Sequence, residues 1–183
     1  MIPCLAMARA ALGATAWVLP VLCWSQPCEL TGWAAGRPEQ ATQRYQDNGD
    51  GTVSDRRASI TWMRCAVGQT WAQEHCTGKA TRMTRNEASA EMEAFNQSGR
   101  HFHDDWRVPS LTELAYISAH GCSPPRTDVR LFPDTPADFF WTSTARRTGG
   151  IELDYFALGF GADGLKSSAA DAMHHLRLVR TGL

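Results

Sequence analysis

Residues 44–63 read RYQDNGDGTVSDRRASITWM and alternate short runs of strand-forming residues with turn signals. Asn48-Gly49 and Asp50-Gly51 tolerate positive φ, so they predict a tight turn between two strands. A second turn over Asp55 to Ser59 leads back into a strand at Ile60 to Met63. The segment therefore predicts an antiparallel meander.

The acidic turn could also be a calcium loop. The pattern D-x-[DN]-x-[DN]-G is not met, however, because Gly49 falls where a calcium ligand is required. We therefore interpret these acidic residues as turn formers.

Two capping boxes follow along the chain. In each, a hydroxyl and a Glu carboxylate three residues later satisfy backbone N–H groups at the start of a helix. The first is Thr84–Glu87, after which Ala88, Met92 and Phe95 share one face and Gly99 is the predicted stop.

The second capping box, Ser110–Glu113, follows Pro109, which prevents a helix from running in from upstream. Leu111, Leu114, Ala115, Ile117 and Ser118 form the face that we expect to be buried, and Gly121 is the predicted end.

The last third of the chain reads as loops and strands. Prolines punctuate the region after Cys122, and an aromatic strand is predicted at Phe139 to Ser143. Further strands are predicted at Ile151 to Phe160, after a turn at Arg146 to Gly150, and at Met173 to Arg180. Strands, then helices, then strands indicate an α+β fold.

The N-terminus is typical of a secretory signal peptide. Arg9 precedes an uncharged apolar run from Ala10 to Cys23, and small residues before position 26 predict cleavage after Ser25. A membrane anchor is the alternative, but about 14 apolar residues fall short of the roughly 20 that span a bilayer. We therefore expect residues 1–25 to be removed and residues 26–183 to form one exported domain, periplasmic or extracellular.

Composition and cysteines narrow the class of protein. With 43% hydrophobic and 20% charged residues and a net charge of −1, the chain is an ordinary globular protein and not a generally basic nucleic-acid binder. Cleavage would leave Cys28, Cys65, Cys76 and Cys122, which predict two disulfides with three connectivities open. Closely spaced C-x-x-C pairs, typical of zinc sites, do not occur.

Several motifs, in this order, resemble the Lcl C-terminal domain family, from about Tyr45 to Arg180. They are DNGDGTVSD (47–55), ITWMRCAVGQTW (60–71) with Cys76-Thr77-Gly78, DWRVPS (105–110) with Glu113-Leu114, Phe132-Pro133, FWTST (140–144) and LRLVR (176–180). That family is grouped with C-type lectin-like folds and has no established function. The resemblance implies a small twisted antiparallel sheet with adjacent first and last strands, two helices, long loops and a bacterial envelope or secreted setting.

The resemblance also implies roles for individual residues. It favours a local Cys65–Cys76 bridge and a long-range Cys28–Cys122 bridge, which would leave no thiolate for the cysteine chemistry of related formylglycine-generating enzymes. The Glu-Pro-Asn, Gln-Pro-Asp and Trp-Asn-Asp calcium motifs of sugar-binding lectins are absent from the sequence. The expected structural signature comprises Trp62, Trp106, Arg107, Pro109, Glu113 and Trp141. Four tryptophans are expected to pack in the core and not to form a ligand platform: Trp62, Trp71, Trp106 and Trp141.

Two clusters are candidate sites. His101 and His103, with Asp104 and Asp105, could hold zinc or copper, although we favour a polar surface loop because local spacing fixes no third ligand. The candidate ligand-binding residues are three basic ones: Arg146, Arg147 and Lys166. We expect them to lie near Arg177 and Arg180, where they could bind sulfate through charge-assisted hydrogen bonds. Glu152, Asp154 and Asp163 dilute their charge, so we favour an ordinary solvated surface over a sulfate site here.

We therefore expect a non-catalytic recognition domain without a cofactor. Its contact surface would be the loops at Ser123 to Ala137 and Arg146 to Gly150, because rigid scaffolds carry function on loops. The expected partner is a glycan or an envelope or surface protein, with no nucleic acid, and with membrane contact only through the signal peptide. The alternatives are a metal-dependent enzyme using His101 and His103, and a structural subunit of an envelope assembly.

Overall fold

A computed structural model describes residues 44–99, 103–119, 124–148, 151–161 and 164–183. The predicted signal peptide therefore lies outside the described residues. The same holds for Cys28, Cys122 and His101.

The predicted meander is confirmed. Strands β1 (Tyr45–Asp47), β2 (Thr52–Asp55) and β3 (Ile60–Met63) pair antiparallel through the two expected turns. The last strand of the chain, β9 (Val179–Thr181), adds to the free edge of β3.

The expectation that the first and last strands are adjacent is wrong, because β9 pairs with β3 and not with β1. Short turns force β1, β2 and β3 to be neighbours, so only the two outer edges of this meander can accept another strand. Strand β9 lies at the β3 edge, where it is also held from its other side. There the backbone of Arg107 exchanges two hydrogen bonds with Val179.

Two further sheets lie in the described ranges, where one small sheet was expected. Strands β4 (Thr70–Ala72) and β5 (His75–Thr77) form a hairpin. Strands β6 (Phe139–Thr148), β7 (Ile151–Gly159) and β8 (Leu165–Ser168) form an antiparallel sheet in that order.

The predicted turn at Arg146 to Gly150 is wrong for its first residues. Strand β6 continues to Thr148, and the backbones of Arg146 and Arg147 pair with Asp154 and Glu152 across a register irregularity. Strand β6 is therefore longer than predicted, and the rest of the predicted turn, Gly149 and Gly150, lies outside the described residues.

The predicted last strand, Met173 to Arg180, is also wrong in extent. Only Val179–Thr181 is a regular strand, because the preceding residues bond to several partners in turn. His174 bridges Met83, His175 bridges Phe140, and the carbonyl of Leu178 accepts from the N–H of Met63.

Both predicted helices are present with complete capping boxes, as α1 (Arg85–Gln97) and α2 (Leu111–Tyr116). Gly99, with φ +64°, follows the end of α1 as predicted. Helix α2 ends earlier than Gly121, because Ile117 leaves the helical conformation and the N–H of Ala119 donates to the carbonyl of Arg126 instead. Among the described residues, no helix is long and apolar enough to cross a membrane.

The core consists of two hydrophobic clusters. Trp62, Leu114, Phe132 and Phe140 belong to the first, which lies between the meander, α2 and the β6–β8 sheet. The second cluster joins α1 to the last segment of the chain through Met83, Ala88, Trp106, Val108, Trp141, Leu176 and Leu178. Of the four tryptophans expected in the core, Trp62, Trp106 and Trp141 are each at most 2% exposed, so the prediction is confirmed for these three. It is wrong for Trp71, which is only partly buried because its ring lies in the short β4–β5 hairpin, under the guanidinium of Arg64.

Candidate functional site

The predicted contact loop, Ser123 to Ala137, is part of the connection between α2 and β6. Ser123 lies outside the described residues, and residues 124–137 form neither helix nor strand. The start of this loop is tied to the core, since Arg126 donates its N–H to Phe160 and the hydroxyl of Thr127 donates to the carbonyl of Ile117 at 2.7 Å. Irregular backbone of this length needs such partners to hold one conformation.

The first guanidinium that holds this loop belongs to Arg64, which follows β3 and is 4% exposed. Its Nε donates to the carbonyl of Leu131 at 2.9 Å, and its Nη2 donates to the carbonyl of Arg130. The same guanidinium pairs with Asp47 and lies 4.1 Å from the ring centroid of Trp71. Arg64 therefore links the loop to the turn of the meander.

The second guanidinium belongs to Arg177, which is fully buried. Its Nη2 donates to the hydroxyl of Thr135 at 2.7 Å, and its Nη1 donates to the carbonyls of Met63 and Arg64. Burial lowers the pKa of Arg177 to about 9. The expectation that Arg177 lies near a surface basic patch is wrong, because the loop covers it.

The disulfide hairpin packs beside the loop. Cys65 and Cys76 form the local bridge that the family resemblance favours, and the second predicted bridge lies outside the described residues. The carboxylate of Asp134 accepts from the N–H of Cys76 at 3.0 Å, and its carbonyl accepts from Nε2 of Gln69 at 3.2 Å. We call residues 124–137 together with 65–78 the loop–hairpin surface.

The exposed side chains of the loop–hairpin surface are mixed in character. Val129 is 36% exposed, and Glu74, His75, Arg130 and Asp134 are also exposed. Such a surface offers a partner apolar contact and charges of both signs. The backbone that carries these side chains is fixed by the buried guanidinium groups of Arg64 and Arg177.

The three candidate basic residues do not form one patch. Arg146 pairs with Asp154 at 2.7 Å, and Asp154 also accepts from the hydroxyl of Ser167. Lys166 precedes Ser167 in β8 and therefore points to the opposite face, where its Nζ lies 3.8 Å from the ring centroid of Phe139. Arg147 is exposed on the same hairpin as Arg146.

The signature residues have structural contacts. Arg107 donates both Nη atoms to the carboxylate of Glu113, at 2.9 and 2.6 Å, and Pro109 is buried with its carbonyl accepting from Ser143. The hydrogen bonds from Arg107 and the backbone of Ser110 lower the pKa of Glu113 to about 2. This pair locks the start of α2 to the strand-like segment before it.

The histidine cluster finds no support as a metal centre within the described residues. His103, Asp104 and Asp105 are exposed, and Asp105 lies 4.0 Å from Arg180. No group of three or more His, Cys, Asp or Glu side chains in the described ranges is arranged to hold a metal ion.

Sequence reasoning missed the burial of two adjacent histidines. Nε2 of His174 lies 2.9 Å from the hydroxyl of Ser168, and burial lowers the pKa of His174 to about 4. Nδ1 of His175 bonds the carbonyl of Thr81 at 3.0 Å. The two rings join the last segment of the chain to β8 and to the strand-like segment before α1. The apolar residues on both sides, Met173 and Leu176, were the available signal.

The geometry defines an α+β domain of small antiparallel sheets with a disulfide hairpin and a long anchored loop. The model of the Lcl C-terminal domain family matches residues 51–180, which is 130 of the 183 residues, so the chain belongs to this family. The resemblance carried by the sequence motifs is thereby confirmed. No curated protein matches the chain.

Proposed function

We propose that this chain is an exported, non-catalytic recognition domain that binds its partner through the loop–hairpin surface. The observation that carries the proposal is the fixation of the 124–137 loop by two buried guanidinium groups, those of Arg64 and Arg177. A loop that served only as a connection would not need two buried cations beneath it.

The two buried guanidinium groups hold the 124–137 loop in one conformation before any partner binds. Burying a guanidinium costs free energy unless its donors are satisfied. Loop and turn oxygens accept from Nε and Nη2 of Arg64 and from both Nη atoms of Arg177, whereas Nε of Arg177 has no partner among the described residues. The return is a loop that is ordered before it meets a partner, which reduces the conformational entropy lost on binding. This arrangement favours recognition over a passive connection.

The wider setting is part of the same proposal. The predicted signal peptide and the Cys65–Cys76 disulfide are compatible with a periplasmic or extracellular location. We further propose that the fold is of the C-type lectin-like kind, with residues 124–137 as its long loop region. The partner would then be a glycan or a protein of the cell envelope or surface.

The test compares two surfaces of the oxidised protein against a panel of glycans and envelope proteins. Val129→Ser with His75→Ala alters the loop–hairpin surface and leaves Arg64, Arg177 and the disulfide intact. Arg146→Ala with Arg147→Ala alters the hairpin of β6 and β7. We expect the first pair to abolish binding and the second to retain it.

The opposite result would move the site to the β6–β7 hairpin and favour an anionic glycan, because Arg146 and Arg147 would then supply the contacts. Undiminished binding by both double variants would remove both surfaces from the proposal. Unchanged melting temperatures of the variants would show that the losses are not caused by unfolding.

A further inference from the structure

A small cavity lies beside the loop–hairpin surface, between α1 and the turn that follows β3. Its volume is about 70 Å³. The apolar part of its wall comprises Met63, Val67, Phe95 and Leu178. A cavity of this volume can hold a short unbranched alkyl chain. A few water molecules would also fit, but the apolar wall would offer them few hydrogen-bond partners.

Two polar side chains of the described residues lie at the rim of the cavity, those of Gln69 and Glu91. Gln69 is engaged on both sides, because its Oε1 accepts from Ala66 and its Nε2 donates to Asp134. Glu91, on the exposed side of α1, also lines the cavity, and its carboxylate makes no hydrogen bond or ion pair with the described residues. A carboxylate over an apolar cavity favours a ligand with an alkyl stem and a cationic end.

The charge of the neighbouring helix points the same way. Helix α1 carries Glu87, Glu91 and Glu93 against a single cation, Arg85, whose guanidinium lies 4.7 Å from the ring centroid of Tyr155. A carboxylate ligand would meet this negative field, whereas an ammonium would be attracted by it.

We propose that the cavity binds the side chain of a lysine on a partner protein, with the methylenes against Val67 and Leu178 and the ammonium at Glu91. The inference rests on the proposed recognition function, because Gln69 joins the cavity wall to the loop at Asp134. Lysine fits better than arginine, because its ammonium is compact and its stem is narrow, whereas a guanidinium is a broad planar group.

The test uses n-butylammonium as the probe and follows the methyl NMR signals of the oxidised full chain. We expect saturable shifts of the Val67, Leu178 and Met63 methyl groups at millimolar concentrations, as suits so small a probe. Sodium butyrate should shift them much less at equal concentration. Equal shifts from butyrate, stronger shifts from n-butylguanidinium, or no shifts at all would overturn the proposal.

Glu91→Gln and Glu93→Gln form a matched pair on the same helix. The Glu91 variant should weaken n-butylammonium binding about threefold, the size expected for an exposed ion pair, and added salt should reduce that difference. The Glu93 variant should bind like the unmodified protein. Equal weakening by both variants would show a general helix charge and overturn the lysine site.

The two proposals fail separately. Loss of probe binding with retained panel binding would remove the lysine site and keep the loop–hairpin surface. Probe binding in a protein whose panel partner does not depend on Val129 and His75 would remove the loop–hairpin surface and leave the cavity as a site for alkylammonium groups.

Discussion

Arg177 stands between Leu176 and Leu178 in a segment whose alternation predicts that its side chain faces solvent. The two leucines are buried as that pattern requires, but the face opposite them is covered by residues 124–137. The guanidinium lies 4.8 Å from the ring centroid of Phe132 and bonds three oxygens that are distant in sequence. No local pattern indicates such a position.

The buried histidines lead to a prediction about pH. Burial lowers the pKa of His174 to about 4 and that of His175 below its usual value, so the folded state holds both rings neutral at neutral pH. The positive charges of Lys166 and Arg82 also lower the pKa of His174, whereas the negative charge of Asp138 raises it. Between pH 6.5 and about 4 the unfolded chain binds more protons at His174 than the folded chain does, so stability should fall as the pH falls.

The expected decrease from His174 is on the order of 2 kcal/mol across that range, measured by urea unfolding at constant ionic strength. His174→Gln should show a shallower decrease with acid. His75→Gln should follow the unmodified protein, because the His75 side chain is 70% exposed. A slope that His174→Gln leaves unchanged would contradict the assignment.

At the scale of the elements, the starts of both helices were predictable because a capping box acts within four residues. The tertiary contacts of the two capping boxes could not be predicted in the same way. The carboxylate of Glu113, in the box of α2, also accepts hydrogen bonds from both Nη atoms of Arg107. Among the described residues, the carboxylate of Glu87, in the box of α1, bonds only to Thr84. The ends were harder to predict, since α2 stops where a loop carbonyl takes over the bonding.

The two boxes allow a matched test of the carboxylates. Glu113→Gln should reduce the free energy of unfolding at pH 7 by about 2 kcal/mol, because charge-assisted bonds from Arg107 are lost. For a domain of this size the melting temperature should fall by about 4–8 °C. Glu87→Gln should have a smaller effect.

The sign of the pH dependence gives a second check. The pKa of Glu113 is lowered to about 2 from 4.5, so its contribution is complete above pH 4.5 and is lost as the pH falls towards 2. The difference between the unmodified protein and Glu113→Gln should shrink over that range. A constant difference would mean that packing, not charge, causes the loss.

Across the whole molecule, segments far apart in the chain are joined at few places. Strand β9 closes the meander more than 100 residues after β3, and residues 124–137 rest on Arg64 and Arg177. The disulfide between Cys65 and Cys76 further stabilises the fold. In the loop-entropy model it contributes about 3 kcal/mol to the free energy of unfolding.

We expect the chain to be exported, the mature protein to begin at Gln26, and no free thiol to remain in it. Non-reducing peptide mapping with mass spectrometry should recover one peptide pair joining Cys65 to Cys76 and another joining Cys28 to Cys122. A peptide linking Cys28 to Cys65 would contradict this connectivity. Reactive thiols in the native, processed protein would also contradict the view that every mature cysteine is bridged.

Local patterns predicted the meander, both capping boxes and the glycine after α1, because turns and caps act over a few residues. The resemblance of several motifs predicted the family, and with it the burial of three of the four tryptophans. They did not predict that β9 adds to β3, that Arg146 and Lys166 lie on opposite faces, or that Arg177 is covered. Each of these depends on which distant segment packs against the residue. The packing partner of each segment is decided when the two hydrophobic clusters are buried together. A short stretch of sequence does not contain that information.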